Sequence, residues 1–179
     1  MIYMFLAEGF EEVEALAPLD LIRRAGLEIK TVGVGGKVIT GSHGIPVTAD
    51  MTDAELADNA PDMVILPGGM PGTKNLDASE TVHKAIADAV KNDAYLCAIC
   101  AAPMILGKLG LLKGKNAVSY PGFESYLEGA TVPSEKVVRD GKIITAKGMG
   151  AAIEFGLAII SALKDEKTAD DLATATIFK

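Results

Sequence analysis

The chain has 179 residues, 49% of them apolar, and a formal net charge of −7 at pH 7. That length suits one domain, residues 1–179, with a full core. The acidic balance argues against nucleic acid, whose binding needs a basic footprint, and no apolar run approaches the ~20 residues of a membrane span.

The first apolar segment, Ile2 to Ala7, is followed at once by Glu8, Glu11, Glu12 and Glu14, so it reads as a strand and not as a signal peptide. Two cysteines, Cys97 and Cys100, without a secretory signal imply free thiols in a reducing compartment, and the cytoplasm is expected. Glu11 to Ala25 is helical, with Val13, Leu16, Ala17, Leu21 and Ile22 as its core face, Gly26 as its stop, and a kink or restart at Pro18. Glu28 to Val34 alternates as a strand, and Val38 to Ala49 reads as a Gly-rich, hairpin-like excursion. Thr52-Asp53-Ala54-Glu55 is a capping box opening a short helix. Met63 to Leu66 is a fully apolar strand ending in Pro67-Gly68-Gly69-Met70-Pro71-Gly72. A helix from about Ser79 to Asn92, the apolar run Tyr95 to Ile99 and a helix to about Leu112 follow. Short strands are expected near Ala117 to Ser119, Val137 to Arg139 and Lys142 to Ala146, then helices at Ala151 to Leu163 and Thr168 to Ile177. Short Val/Ile/Leu strands between helices mean a mostly parallel sheet covered on both faces, hence a flavodoxin-like three-layer α/β/α sandwich.

Ligands in such sheets bind beyond the carboxyl ends of the strands. Cys100 lies where the run Tyr95 to Ile99 breaks into Ala101-Ala102-Pro103, the shape of a nucleophile elbow, where small neighbours permit a tight turn. Its sulfur is expected at a helix N-terminus, which favours the thiolate; the alternative is an inert packed cysteine. Gly68 and Gly69 let backbone N–H groups approach a reacting oxygen, and the Ala101 N–H adds a donor, together resembling an oxyanion hole. The same glycines also fit an ordinary turn. Of the four acidic residues near the first helix, three are expected to be solvated, whereas Glu14 is placed to face the cleft. A carboxyl beside a thiol does not share the space as two anions, so a protonated Glu14 donating to a Cys100 thiolate is expected.

Histidine chemistry is limited to two residues. His83 lies beside apolar helix positions and reads as packing or surface, while His43, in a Gly-flanked loop, is either solvated or able to reach a site in its own or a neighbouring chain. Cys97-Ala98-Ile99-Cys100 is formally C-x-x-C, but no second ligand pair exists for zinc, and Cys97 falls inside the strand, which disfavours a redox couple. No metal and no cofactor are expected.

Four segments, Ala7 to Gly26, Asp62 to Leu76, Cys97 to Leu106 and Ile143 to Ile160, together resemble the ThiJ/PfpI superfamily, related to the class I glutamine amidotransferase fold. The resemblance is strongest to its branch of parkinsonism-associated deglycase-type and bacterial ThiJ proteins. It implies Cys100 as elbow nucleophile, Glu14 as its carboxyl partner, and the backbone at Gly69 and Ala101 as oxyanion donors. It also implies a homodimer, with Arg24 near the interface. The protease-like branch carries His directly after the nucleophile, where this chain has Ala101, so amidase or peptidase activity is the least supported. Many relatives carry His before a proline near the site, where this chain has Tyr120-Pro121. Tyrosine is a poor base near neutral pH, so proton shuttling falls to Glu14, water or His43. The function so implied is cofactor-free action on small reactive dicarbonyls, of glyoxalase III or deglycase type; the alternative is an oxidative-stress sensor or chaperone in which peroxide oxidises Cys100.

Overall fold

The apolar runs pair side by side because each is buried on both faces. In a computed structural model, which describes residues 1–56 and 61–179, the elements follow in the order β1 (Ile2–Leu6), α1 (Glu12–Arg24), β2 (Ile29–Gly33), β3 (Val38–Thr40), β4 (Pro46–Thr48), β5 (Met51–Thr52), β6 (Met63–Leu66), α2 (Gly72–Asp77), α3 (Glu80–Lys91), β7 (Tyr95–Ile99), α4 (Pro103–Lys108), β8 (Val137–Asp140), β9 (Ile143–Ala146), α5 (Ala152–Leu163) and α6 (Glu166–Ala175). Seven strands form one sheet in the order β5-β2-β1-β6-β7-β9-β8, parallel throughout except for edge strand β8, which runs antiparallel to β9. β3 and β4 pair as a separate antiparallel ribbon, the expected excursion.

Period-2 side-chain alternation divides the core. Ile2, Met4 and Leu6, with Met63, Ile65, Cys97, Ile99 and Ile144, face one layer, where α1 packs on α5 and α5 on α6. Tyr3, Phe5, Val64, Leu66, Leu96 and Ala98 face the other, with buried residues of α2, α3 and α4. The result is a three-layer α/β/α sandwich. Strand order reverses between β1 and β6, so their C-terminal ends, with those of β7 and β9, frame a crevice. Among the described residues, no helix is long and apolar enough to cross a membrane.

Several elements differ from expectation. α1 runs through Pro18 as one helix and does not restart there. Its buried stripe is Ala15, Pro18, Leu19 and Ile22, at i, i+3, i+4 and i+7, with Leu21 beside it, whereas Val13 is 43% exposed. Leu16 and Ala17 are half-buried. β2 does not alternate; only Lys30 is exposed, because a helix layer covers each face. The capping box forms, with Glu55 accepting from the N–H and hydroxyl of Thr52, but it closes a single 3₁₀ turn. α2 was not expected, since Gly72, Thr73 and Asn75 are weak helix formers. The helix expected to reach Leu112 ends at Lys108. Ala117 to Ser119 is not a strand: Val118 N–H donates to Thr145 Oγ1 at 2.9 Å and Ala117 N–H to Thr131 O at 3.0 Å, leaving one isolated bridge at Asn116. Its apolar residues mark burial rather than pairing.

Phe155 in α5 is fully buried in the layer shared with α1. Phe155→Ala is predicted to lower unfolding free energy by about 3–5 kcal/mol, through lost transfer energy and a cavity; equilibrium urea denaturation measures this.

Candidate functional site

β7 ends at Ile99, and the chain turns at Cys100 with φ of 65°, a left-handed conformation that non-glycine residues rarely adopt. The elbow is pinned on both sides of the peptide, since Cys100 N–H donates to Ala146 O at 2.9 Å and Cys100 O accepts from Tyr120 N–H at 2.8 Å. A strained residue held by its surroundings at the mouth of a crevice is a marker of function. The thiol is half-buried and free, while Cys97 is buried within β7. Burial pushes the Cys97 thiol far up, so Cys97 is packing, as one sequence reading held.

Glu14, in the first turn of α1, is 1% exposed and hydrogen-bonded to Cys100. It also accepts from Gly68 N–H at 3.0 Å and from Met149 N–H. Burial pushes its carboxyl up to about 7, with the negative charge of Glu11 adding to the rise and the hydrogen bonds opposing it. Burial likewise pushes the Cys100 thiol up to about 12; the charge of Glu14 and its hydrogen bond add, and the N–H groups of Gly69 and Ala101 oppose. This corrects the expectation of a thiolate favoured by a helix N-terminus. α4 begins only at Pro103, and the groups that stabilise sulfur negative charge are the two N–H donors.

Thiol and carboxyl therefore titrate as a pair. With Glu14 ionised, the shared contact keeps the proton on sulfur. With the proton on Glu14, the same contact and the two N–H donors stabilise the thiolate. The glycine loop makes this contact possible: a Cβ on Gly68 would lie 2.5 Å from Glu14 Oε2 and 2.6 Å from Cys100 Cβ, and Gly69 has φ of 89°. Gly68 is corrected as an oxyanion donor, because its N–H serves Glu14; the N–H groups of Gly69 and Ala101 favour negative charge on the sulfur.

Tyr120 lies at the mouth, half-exposed, beside a cavity of about 170 Å³ lined by Gly69, Met70, Cys100, Ala101, Tyr120 and Phe123. Arg24, expected near a dimer interface, and His43 have their partners away from Cys100 in this chain. Arg24 pairs with Asp20 at 2.6 Å near the end of α1, ten residues from Glu14, or about 15 Å along a helix. His43 Nδ1 lies 2.8 Å from Glu12 Oε2 and engages that carboxylate rather than Cys100 or Glu14. His83 bonds Asp77 O at 2.7 Å. Neither histidine of the chain makes a dyad with Cys100.

Glu12 corrects the view that three of the four acidic residues are solvated. It is 4% exposed and accepts from the backbone N–H and ring of His43, fixing the turn between β3 and β4. Burial alone would raise its pKa, but the hydrogen bonds from His43 and Ile45 prevail and lower it to about 2. That contact with Glu12, reinforced by its charge, raises the His43 pKa. Sequence reasoning also missed Met70, Phe123 and the Met149 N–H. The last follows the C-terminal end of β9, so a fourth strand end converging on the crevice was the available signal.

A sequence profile described as the DJ-1/PfpI family matches residues 1–162. Protein dj-1beta of Drosophila melanogaster is 34% identical over 173 residues, covering 95% of this chain and 92% of that protein. The protein named glutathione-independent glyoxalase DJR-1.2 of Caenorhabditis elegans is 29% identical over 163 residues, covering 90% and 87%. The solved structure of oxidized Toxoplasma gondii DJ-1 superposes with a TM-score of 0.94 at 30% identity, covering 98% of this chain and 97% of that one.

The two buried carboxyls have opposite pH signatures. Glu14, raised above its ordinary 4.5, contributes stability that is full below pH 4.5 and lost as pH rises through about 7. Glu12, lowered to about 2, contributes stability present above 4.5 and lost as pH falls through 2. Glu14→Gln is predicted to gain on wild type between pH 5 and 8, on the order of 3 kcal/mol at most from ~1.4 kcal/mol per pK unit, whereas Glu12→Gln loses at neutral pH. Thermal unfolding across that range checks both signs. Gly68→Ala is predicted to separate Glu14 from Cys100, to remove the part of the thiol's upward shift that Glu14 supplies and so to speed alkylation of Cys100, followed by mass spectrometry.

Proposed function

The chain belongs to the DJ-1/PfpI family, and on that footing we propose that it is a cofactor-free cysteine enzyme acting on small reactive dicarbonyls, of glyoxalase or deglycase type. The observation that carries this reading is the buried Glu14 carboxyl bonded to the Cys100 thiol at the floor of an open cleft. A carboxyl poised at about 7 is matched to donating and accepting protons at neutral pH. A relative named as a glutathione-independent glyoxalase supports the substrate class.

With methylglyoxal, the Cys100 proton moves to Glu14 and sulfur attacks the aldehyde carbon. A C–S bond forms, the carbonyl π pair moves to oxygen, and that oxygen takes a proton to give a hemithioacetal. The N–H groups of Gly69 and Ala101, released from the sulfur as its charge is lost, are positioned to stabilise the transient oxyanion. Glu14 as carboxylate then removes the proton from the former aldehyde carbon, giving an enediol, and returns a proton to the neighbouring carbon. The resulting thioester takes up water, releasing lactate and the Cys100 thiol. The sum is methylglyoxal plus water to lactate, with no net oxidation.

A second reading, peroxide sensing, draws support from the partial exposure of Cys100 and from the oxidized form of a similar protein. The thiolate attacks a peroxide oxygen to give sulfenate and water, and a second peroxide gives sulfinate, whose oxygens would accept from Gly69 and Ala101 N–H. The homodimer implied by the resemblance belongs to the proposal, supported by exposed Val13 and half-buried Leu16 on α1. A reducing cytoplasm suits the free thiols.

Wild-type protein is predicted to form lactate from methylglyoxal without added thiol or metal. Cys100→Ser abolishes turnover, and Glu14→Gln lowers kcat by about 10²–10⁴; coupled lactate measurement reads both. No turnover by fully reduced wild type overturns the enzymatic reading, and a peroxide-dependent gain of two oxygens on Cys100 then carries the second.

A further inference from the structure

The wall of the cleft carries information about what enters it. At about 170 Å³ it is smaller than the ~300–1,000 Å³ of sites for drug-sized ligands, and holds on the order of five waters at ~30 Å³ each. Apart from the Cys100 thiol, its side chains are those of Met70, Tyr120 and Phe123, with Ala101 and the backbone of Gly69. Among the described residues, no lysine, arginine or histidine lines it. The carboxyl beneath its floor is Glu14, and Glu11 adds negative potential there. The Tyr120 backbone N–H donates to Cys100 O, and Phe123 lies obliquely against Tyr126 with ring centroids 6.0 Å apart.

We infer that this cleft admits neutral carbonyl compounds with an apolar substituent, aryl groups included, and rejects carboxylate-bearing ones, with Met70, Tyr120 and Phe123 as the specificity-determining residues. The inference rests on the reading of Cys100 as the nucleophile. A carboxylate entering the cleft loses water, meets no cation and faces Glu14. An aryl ring meets two aromatic side chains and a thioether that adapts to its shape.

Two measurements test this, one independent of turnover. Cys100 is alkylated with neutral iodoacetamide and anionic iodoacetate, sulfur displacing iodide in each, and the rate ratio is divided by that of free cysteine. Buried Cys97 contributes little to the signal. The normalised ratio is expected to favour iodoacetamide by about tenfold or more, and Met70→Lys, at a position 38% exposed, is expected to narrow it. A ratio of one in wild type, or one that Met70→Lys leaves unchanged, overturns the inference. In the second measurement, kcat/KM is expected to fall from phenylglyoxal to glyoxylate by about 10²-fold, and Phe123→Ala is expected to reduce the phenylglyoxal to methylglyoxal ratio by about tenfold. Equal use of glyoxylate and phenylglyoxal also overturns it. Absence of all dicarbonyl turnover with the alkylation ratio intact defeats the enzymatic reading while supporting the selectivity of the cleft.

Discussion

A carboxyl and a thiol buried in contact cannot both be anions without a large electrostatic penalty, so Glu14 and Cys100 are tied to a common proton. Much of the crevice is built around that contact. β1 delivers the chain to α1, whose first turn carries Glu14. β6 ends in a loop whose Gly68 has no side chain to separate the pair. β7 ends in the left-handed turn that lifts Cys100 toward Glu14, and β9 leads to the Met149 N–H that completes the carboxyl's shell. The parallel sheet matters to function because it brings these four strand ends to one place.

Two residues away on the same helix, Glu12 shows how strongly surroundings decide the behaviour of a carboxyl. Both groups are almost fully buried. Glu12 is met by a histidine ring and backbone N–H groups, which outweigh desolvation and keep it ionised. Glu14 is met by fewer donors, a thiol and the field of Glu11, and desolvation prevails. The first acts as a permanent anion that fixes the β3–β4 turn. The second is adjustable near neutral pH, as proton transfer requires.

The order of layers and the central strands were legible because short runs such as Met63 to Leu66 and Tyr95 to Ile99 are apolar at every position, as a sheet covered on both faces demands. The elbow was legible because small residues follow Cys100. The rest depended on contacts that local pattern does not encode. Glu12 looked like a solvated N-terminal carboxylate because its partner, His43, lies 31 residues away across the β3–β4 ribbon. Ala117 and Val118 looked like a strand because burial selects the same residues as pairing does. Met70 and Phe123 carry no periodic signal, since both sit in loops brought together at the cleft. The raised thiol pKa was missed because burial, whose size is visible only in the folded chain, opposes the two N–H donors.

The most direct measurement follows thiolate absorbance and the infrared band of the protonated carboxyl together against pH, in wild type and Glu14→Gln. Coupling predicts a carboxyl that keeps its proton well above its ordinary 4.5, and a Cys100 titration that Glu14→Gln displaces. A carboxyl that ionises in its usual range, or a thiol titration identical in the two proteins, contradicts the shared proton and the mechanism built on it.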